Sequence, residues 1–234
     1  MTERQERKPR PLWLSTALNV VAAIVVIALV QGFLVKVYSV PSGSMESTLN
    51  VGDRILVNRL AYNAGGPKPG DIVVFRADAA WGASAGDEPA GVLEALVRGF
   101  GDLTGIGPSN EDFLVKRVVG AGGDTVECCS AEGALVRNGE PLNEDYILED
   151  PAFAPGGPDC GSDPRSLRCF GPVEVPEGSL LVLGDHRGAS ADGVLACRGR
   201  AENDQSGCAR FVDEENVVGR VVAKLWPPAD WRGF

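Results

Sequence analysis

Residues 12 to 35, LWLSTALNVVAAIVVIALVQGFLV, run for two dozen positions without a charge. A helix rises ~1.5 Å per residue, so this stretch is long enough to cross a ~30 Å hydrocarbon core. Two other readings compete. A cleavable secretory signal has an apolar region of only ~7–15 residues, and this segment is too long for one. A buried helix of a soluble core is disfavoured by a run this long that is apolar on every face. The stretch is therefore read as an uncleaved transmembrane anchor. Arg4, Arg7, Lys8 and Arg10 precede it, against Glu3 and Glu6, and excess base beside a span marks the cytoplasmic side. The expectation is a single-pass protein of the cell membrane. Residues 1–11 form a cytoplasmic tail, 12–35 the anchor and 36–234 a body on the outer face.

That body is long enough for one good core. Thirty Gly and sixteen Pro with only 6% aromatic residues call for many turns, which favours strands over a helical bundle. The formal charge of the whole chain is −10, and the basic tail leaves the body more acidic still. Phosphate binding needs a basic face, so no nucleic-acid partner is expected. All six cysteines (Cys128, Cys129, Cys160, Cys169, Cys197, Cys208) follow the anchor, in the compartment where disulfides persist. No CxxC spacing occurs and there is one histidine, which leaves no zinc site in view and no cofactor is expected. Cys160 with Cys169 and Cys197 with Cys208 are the local pairings. Adjacent Cys128 and Cys129 then form either a vicinal bridge or two thiols.

Along the chain, VKVYSV is a short strand that Pro41 ends. GDRILVNRLAY and GPKPGDIVVFRAD each read as a turn followed by a strand. Residues 79–110 break into Gly, Ala and acidic residues around one amphipathic piece, GVLEALVRGF. This reads as an inserted loop carrying an ordinary surface helix, because the basic polar face of a bilayer-lying helix is missing. FLVKRVVG is a strong strand, and Asn138-Gly139 marks a hairpin. Residues 128–172, rich in Gly, Pro and Cys, suit a small disulfide-tied insertion. Strands resume in VEVPEGSLLVLGDHRGASADG and ENVVGRVVAKLWPP.

The stretch VPSGSMESTL, just beyond the anchor, offers Ser44 as a candidate nucleophile. A serine hydroxyl attacks a carbonyl only when a neighbouring group takes its proton. A Ser-His-Asp arrangement could use only His186, which reads as a polar loop residue beside Asp185 and Arg187. The other route is a lysine held neutral by burial. Lys8 lies in the tail, Lys36 at the membrane boundary and Lys68 in a turn. Lys116 and Lys224 both sit in apolar strands, where a lysine is functional, paired with an acid or facing solvent. Pattern leaves those three readings open.

In order along the chain, PSGSM with TL three residues on, GDRILVNRL, GDIVVF, FLVKRVVGAGGDTVE, NGEPLNEDYI, LVLGDHRGASADG and ENVVGRVVAKLWP closely resemble the segments of bacterial type I signal peptidases. The resemblance covers nearly the whole outer body. It implies a mainly β fold, an antiparallel barrel-like β core with a smaller Cys-containing insertion behind one N-terminal transmembrane helix. It implies a Ser/Lys serine endopeptidase that removes signal peptides from exported preproteins, with Ser44 as nucleophile and Lys116 as neutral general base. Ser42 and the Ser44 N–H would form the oxyanion hole, and Ser190 would orient the lysine. Val40, Met45, Leu49 and Val115 match positions lining shallow substrate pockets for small residues, and Asp185, Arg187, Asp192 and Arg117 match supporting positions. There are departures. Ser47 stands where proline is frequent, Gly188 and Ala189 where an acid and an amide are frequent, and Val194 where an arginine often follows, so the ion pairs would be rearranged around Arg117. The partners implied are exported preproteins and membrane lipid. Two alternatives remain: a same-fold peptidase dedicated to one partner, and a non-catalytic, membrane-tethered β module, which would be expected to have lost Ser44 or Lys116.

Overall fold

The computed structural model describes residues 12–82, 91–104, 112–200 and 207–234. The tail 1–11 and much of the 79–110 loop lie outside those residues. Helix α1, Leu12–Phe33, holds no proline, and its one glycine, Gly32, stands at its end. From Trp13 onward every α1 residue is exposed except Ala28, Gln31 and Gly32, which are partly covered. Among the described residues little protein covers this apolar surface, the condition that a bilayer satisfies.

The chain leaves α1 directly into β1 (Val35–Ser39), which pairs with β2 (Arg54–Asn58) from Val35 opposite Asn58 to Ser39 opposite Arg54. Next come β3 (Ile72–Arg76), helix α2 (Val92–Thr104), β4 (Phe113–Ala121), β5 (Thr125–Cys128), β6 (Leu135–Arg137) and β7 (Glu140–Pro141). After these follow β8 (Phe170–Glu174), β9 (Ser179–Leu183), β10 (Val212–Asp213), β11 (Val217–Trp226) and β12 (Arg232–Gly233). The main sheet runs β1-β2-β11-β3-β4-β9-β10, with β12 added on β11, and the second runs β7-β6-β5-β8. Every pairing of named strands is antiparallel. The fold is mainly β, as expected, although the hydrogen-bonded path of the large sheet is open, with β1 and β10 at its ends.

Strand periodicity explains the division of the core. In β3, Ile72 and Val74 enter one apolar cluster with Tyr38, Met45, Leu49 and Val115, while Val73 and Phe75 enter another with Trp81, Val118, Leu180 and Val182. A third cluster, with Val126, Phe170, Leu181 and Cys197, joins the two sheets. The β6–β7 turn uses Asn138 and Gly139 at φ 52° and 83°, the left-handed pair that a tight hairpin turn requires. The cysteines pair as Cys128–Cys129, Cys160–Cys169 and Cys197–Cys208.

Candidate active site

Three segments meet at the site. The loop after β1 carries Ser42 to Leu49, the middle of β4 carries Lys116, and the loop after β9 carries Gly184 to Ser190. The first is folded by local bonds: Gly43–Met45 makes one 3-10 turn, with the Leu49 and Thr48 amides donating to the Met45 carbonyl at 2.7 and 3.1 Å. The third segment clamps it. The His186 amide donates to the Ser44 carbonyl at 3.1 Å, and Thr48 Oγ1 donates to Asp185 Oδ2 at 2.5 Å.

Lys116 is 3% exposed, and its Nζ donates to Ser44 Oγ at 2.5 Å. Among the described residues no acid pairs with it. Burial lowers its pKa from 10.5 to about 8, against the opposing pull of Asp192 and Asp185 and with a small push from Arg210. A buried ammonium loses its hydration, and only a close counter-ion would restore what is lost. Lys224 shows the contrast. It is equally buried, but its Nζ lies 3.0 Å from Asp53 Oδ2, so the acid-paired reading of a strand lysine applies to it.

Ser42 precedes the turn in extended conformation and does not cap it. Its Oγ lies 3.5 Å from Ser44 Oγ. Ser190 is buried beside Gly184, and its Oγ has no hydrogen-bond partner among the described residues. Val40, Met45, Leu49 and Val115 lie together in one cluster at 2%, 1%, 0% and 7% exposure. Met45 and Leu49 are the buried apolar side chains of the serine loop, and Val40 and Val115 pack in the same cluster with them.

Ion pairs, close contacts and backbone angles mark the positions where the sequence departs from the resemblance. Arg117 grips Asp185 with two bonds of 2.8 and 2.7 Å and lies over the Tyr146 ring at 3.8 Å. Arg187 bonds the Gly184 carbonyl at 3.0 Å and pairs with Glu144. Val194 is fully buried in the core cluster, and Asp192 instead takes Arg198 as its partner at 2.9 Å. A Cβ at Gly188 would meet the Glu149 carbonyl at 2.8 Å, so an acidic side chain has no room there. Ser47 sits at φ 77°, a conformation closed to proline. His186 lies in the loop after β9, its Nδ1 accepting from the Ala189 amide at 3.2 Å.

Sequence reading missed Thr48, Tyr146, Glu144 and Asp53. Each acts through a partner distant in sequence, and none lies in a spacing that periodicity would mark. Gly184 is the tightest position in the site: a Cβ there would collide with both the Ser44 carbonyl and Ser190 Oγ. Gly184→Ala is expected to cut kcat by about 10²-fold through displacement of Ser44 and to cost roughly 1–3 kcal/mol from overpacking. Steady-state kinetics and thermal melting check this, and wild-type values in both would contradict it.

A serine hydroxyl thus lies against a buried lysine on a β body that follows an apolar helix long enough to cross a membrane. A family model described as "Signal peptidase, peptidase S26" matches residues 13–226. The chain is 37% identical over 238 residues to signal peptidase I of Mycobacterium tuberculosis, covering 96% of this chain and 77% of that one. It is 35% identical to a probable signal peptidase I of Mycobacterium leprae, at 98% and 81% coverage. Signal peptidase IB of Staphylococcus aureus is 28% identical, at 92% and 90%. The chain belongs to the S26 signal peptidase family.

Proposed function

We propose that this enzyme removes signal peptides from exported preproteins with Ser44 as nucleophile and Lys116 as general base. The observation that carries the reading is the 2.5 Å contact between Lys116 Nζ and Ser44 Oγ, made by a lysine without an acidic partner among the described residues. In the neutral state the bond reverses, and the serine hydroxyl donates to the lysine lone pair. As Oγ bonds to the scissile carbonyl carbon, its proton passes to Nζ. The carbonyl oxygen gains negative charge, which the Ser42 hydroxyl and the Ser44 N–H would stabilise. Lys116 then gives its proton to the leaving amine, and the C–N bond breaks. Water releases the acyl-enzyme through the same base. Ser190, buried and without a hydrogen-bond partner for its Oγ among the described residues, would turn its hydroxyl to Nζ and hold the amine in line.

The anchor reading and the basic tail support an orientation with the tail in the cytoplasm and the body on the outer face. From Phe33 at the end of α1 to Ser44 is eleven residues, at most ~40 Å of extended chain, so cutting would occur close to the bilayer. Val115, the least buried of the four at 7% exposure, with Val40, Met45 and Leu49 packed behind it, would bound the space for the small residues before the cleavage site. The test is mass spectrometry of products from preproteins incubated with the full-length enzyme. One cut after a small residue such as alanine is expected, and cuts after large residues or no cut would refute the reading.

A further inference from the structure

Helix α2 is built the wrong way round for a helix on a water-soluble surface. Val92, Leu93, Leu96 and Val97 are 80%, 77%, 67% and 46% exposed. At 100° per residue they form one continuous stripe. The neighbouring face holds Glu94, Arg98 and Gly101, and these are the more covered residues. The two charges on that face neutralise each other, with Arg98 Nη2 at 2.6 Å from Glu94 Oε1. The protein therefore shields the ion pair while the apolar residues point away from it.

Helix α2 touches α1. The covered residues of α1, Ala28, Gln31 and Gly32, lie at the end where the chain leaves the span, where Arg59 also donates to the Gly32 carbonyl, and the α1–α2 contact holds α2 beside the span. A 13-residue helix is only ~20 Å long, too short to cross. We infer that α2 lies in the plane of the outer membrane interface with its Val92–Leu93–Leu96–Val97 stripe in the acyl-chain boundary, forming a second lipid contact beside the anchor. The missing basic face, which favoured an ordinary surface helix, then sets the mode of binding. With Arg98 matched by Glu94, attachment comes from apolar area and not from anionic headgroups. Two contacts in place of one fix the rotation of the catalytic body about α1.

The test uses the full-length protein in phosphatidylcholine vesicles, a neutral lipid that offers no charge attraction. Leu93→Cys and Leu96→Cys each receive an environment-sensitive nitrobenzoxadiazole label, with Glu140→Cys on the exposed β6–β7 hairpin as the aqueous control. Emission from positions 93 and 96 is expected to shift to the blue and to lose most of its intensity when the lipid is brominated high on the acyl chain, while position 140 stays unquenched. Unshifted, unquenched emission at 93 and 96 would overturn the inference. So would shielding that depends on protein concentration and not on brominated lipid, since the stripe would then be covered by a second copy. If either labelled variant misfolds, Val92→Cys, the most exposed of the four, is read in its place.

Discussion

Lys116→Met is expected to abolish cleavage while leaving the fold more stable. If Lys116 is the base, its loss should lower kcat by about 10⁴-fold or more, and Ser44→Ala should cost as much. The double variant should lose little beyond either single change, because the two residues act as one unit. Stability should move the other way. The pKa falls from 10.5 to about 8 because burial penalises the ammonium, which corresponds to a folding cost of roughly 3 kcal/mol at neutral pH. Methionine of similar length removes that cost. The sign follows from proton binding: between about pH 8 and pH 10.5 the unfolded chain holds the proton that the folded chain has released, so wild-type stability rises with pH across that window. Lys116→Met should flatten this part of the profile. Activity follows the same group. Wild-type kcat/KM should climb about tenfold per pH unit below about pH 8 and level off above it. An active Lys116→Met enzyme, or a rate that peaks in acid, would sink the lysine-base mechanism.

Asp53→Ala should produce the largest loss of stability outside the site. Lys224 and Asp53 are each about 4% exposed, and Asp53 also accepts the Asn50 amide at 2.8 Å. Removing the acid leaves a buried ammonium whose one remaining acidic neighbour among the described residues is Asp230, 3.7 Å away and half exposed. The cost is about 3–5 kcal/mol, as for other broken buried pairs. For a domain of this size that lowers the melting temperature by roughly 6–20 °C. The companion change Lys224→Met, made together with Asp53→Ala, should recover most of the loss, since a buried pair replaced by apolar groups is often neutral. Melting of the full-length protein in detergent reads both variants. Wild-type melting of Asp53→Ala would show that the pair contributes little. Activity measured well below the melting range should stay near wild type, which separates this lysine from Lys116.

These two lysines mark where reading the sequence stopped. Lys116 and Lys224 have a similar local grammar, a lysine inside an apolar strand segment, FLVKRVVG and VVAKLW, and alternation places both among apolar neighbours. What separates them is the register of β11 against β2, which brings Lys224 opposite Ile55, close to the Asp53 turn, and the path of the loop after β1, which brings Ser44 to Lys116. His186 is a similar case. Its role as a cap depends on a turn at Arg187–Ala189 that carries no local signal. For α2 the periodicity was plain and the environment was not: an amphipathic pattern shows that two faces differ, but not which one meets the protein.

The anchor, the strand-rich body, the local disulfides and the Asn138-Gly139 hairpin were set by local chemistry. Apolar length, turn residues and short cysteine loops act within a few neighbouring residues and so are written in the order of the chain. The Ser44–Lys116 contact joins residues 72 positions apart. The Arg117–Asp185 and Arg198–Asp192 pairs and the outward apolar face of α2 likewise depend on which strands become neighbours. Such contacts are decided by sheet register and loop path, because a buried charge takes as its partner whatever group the fold delivers within reach.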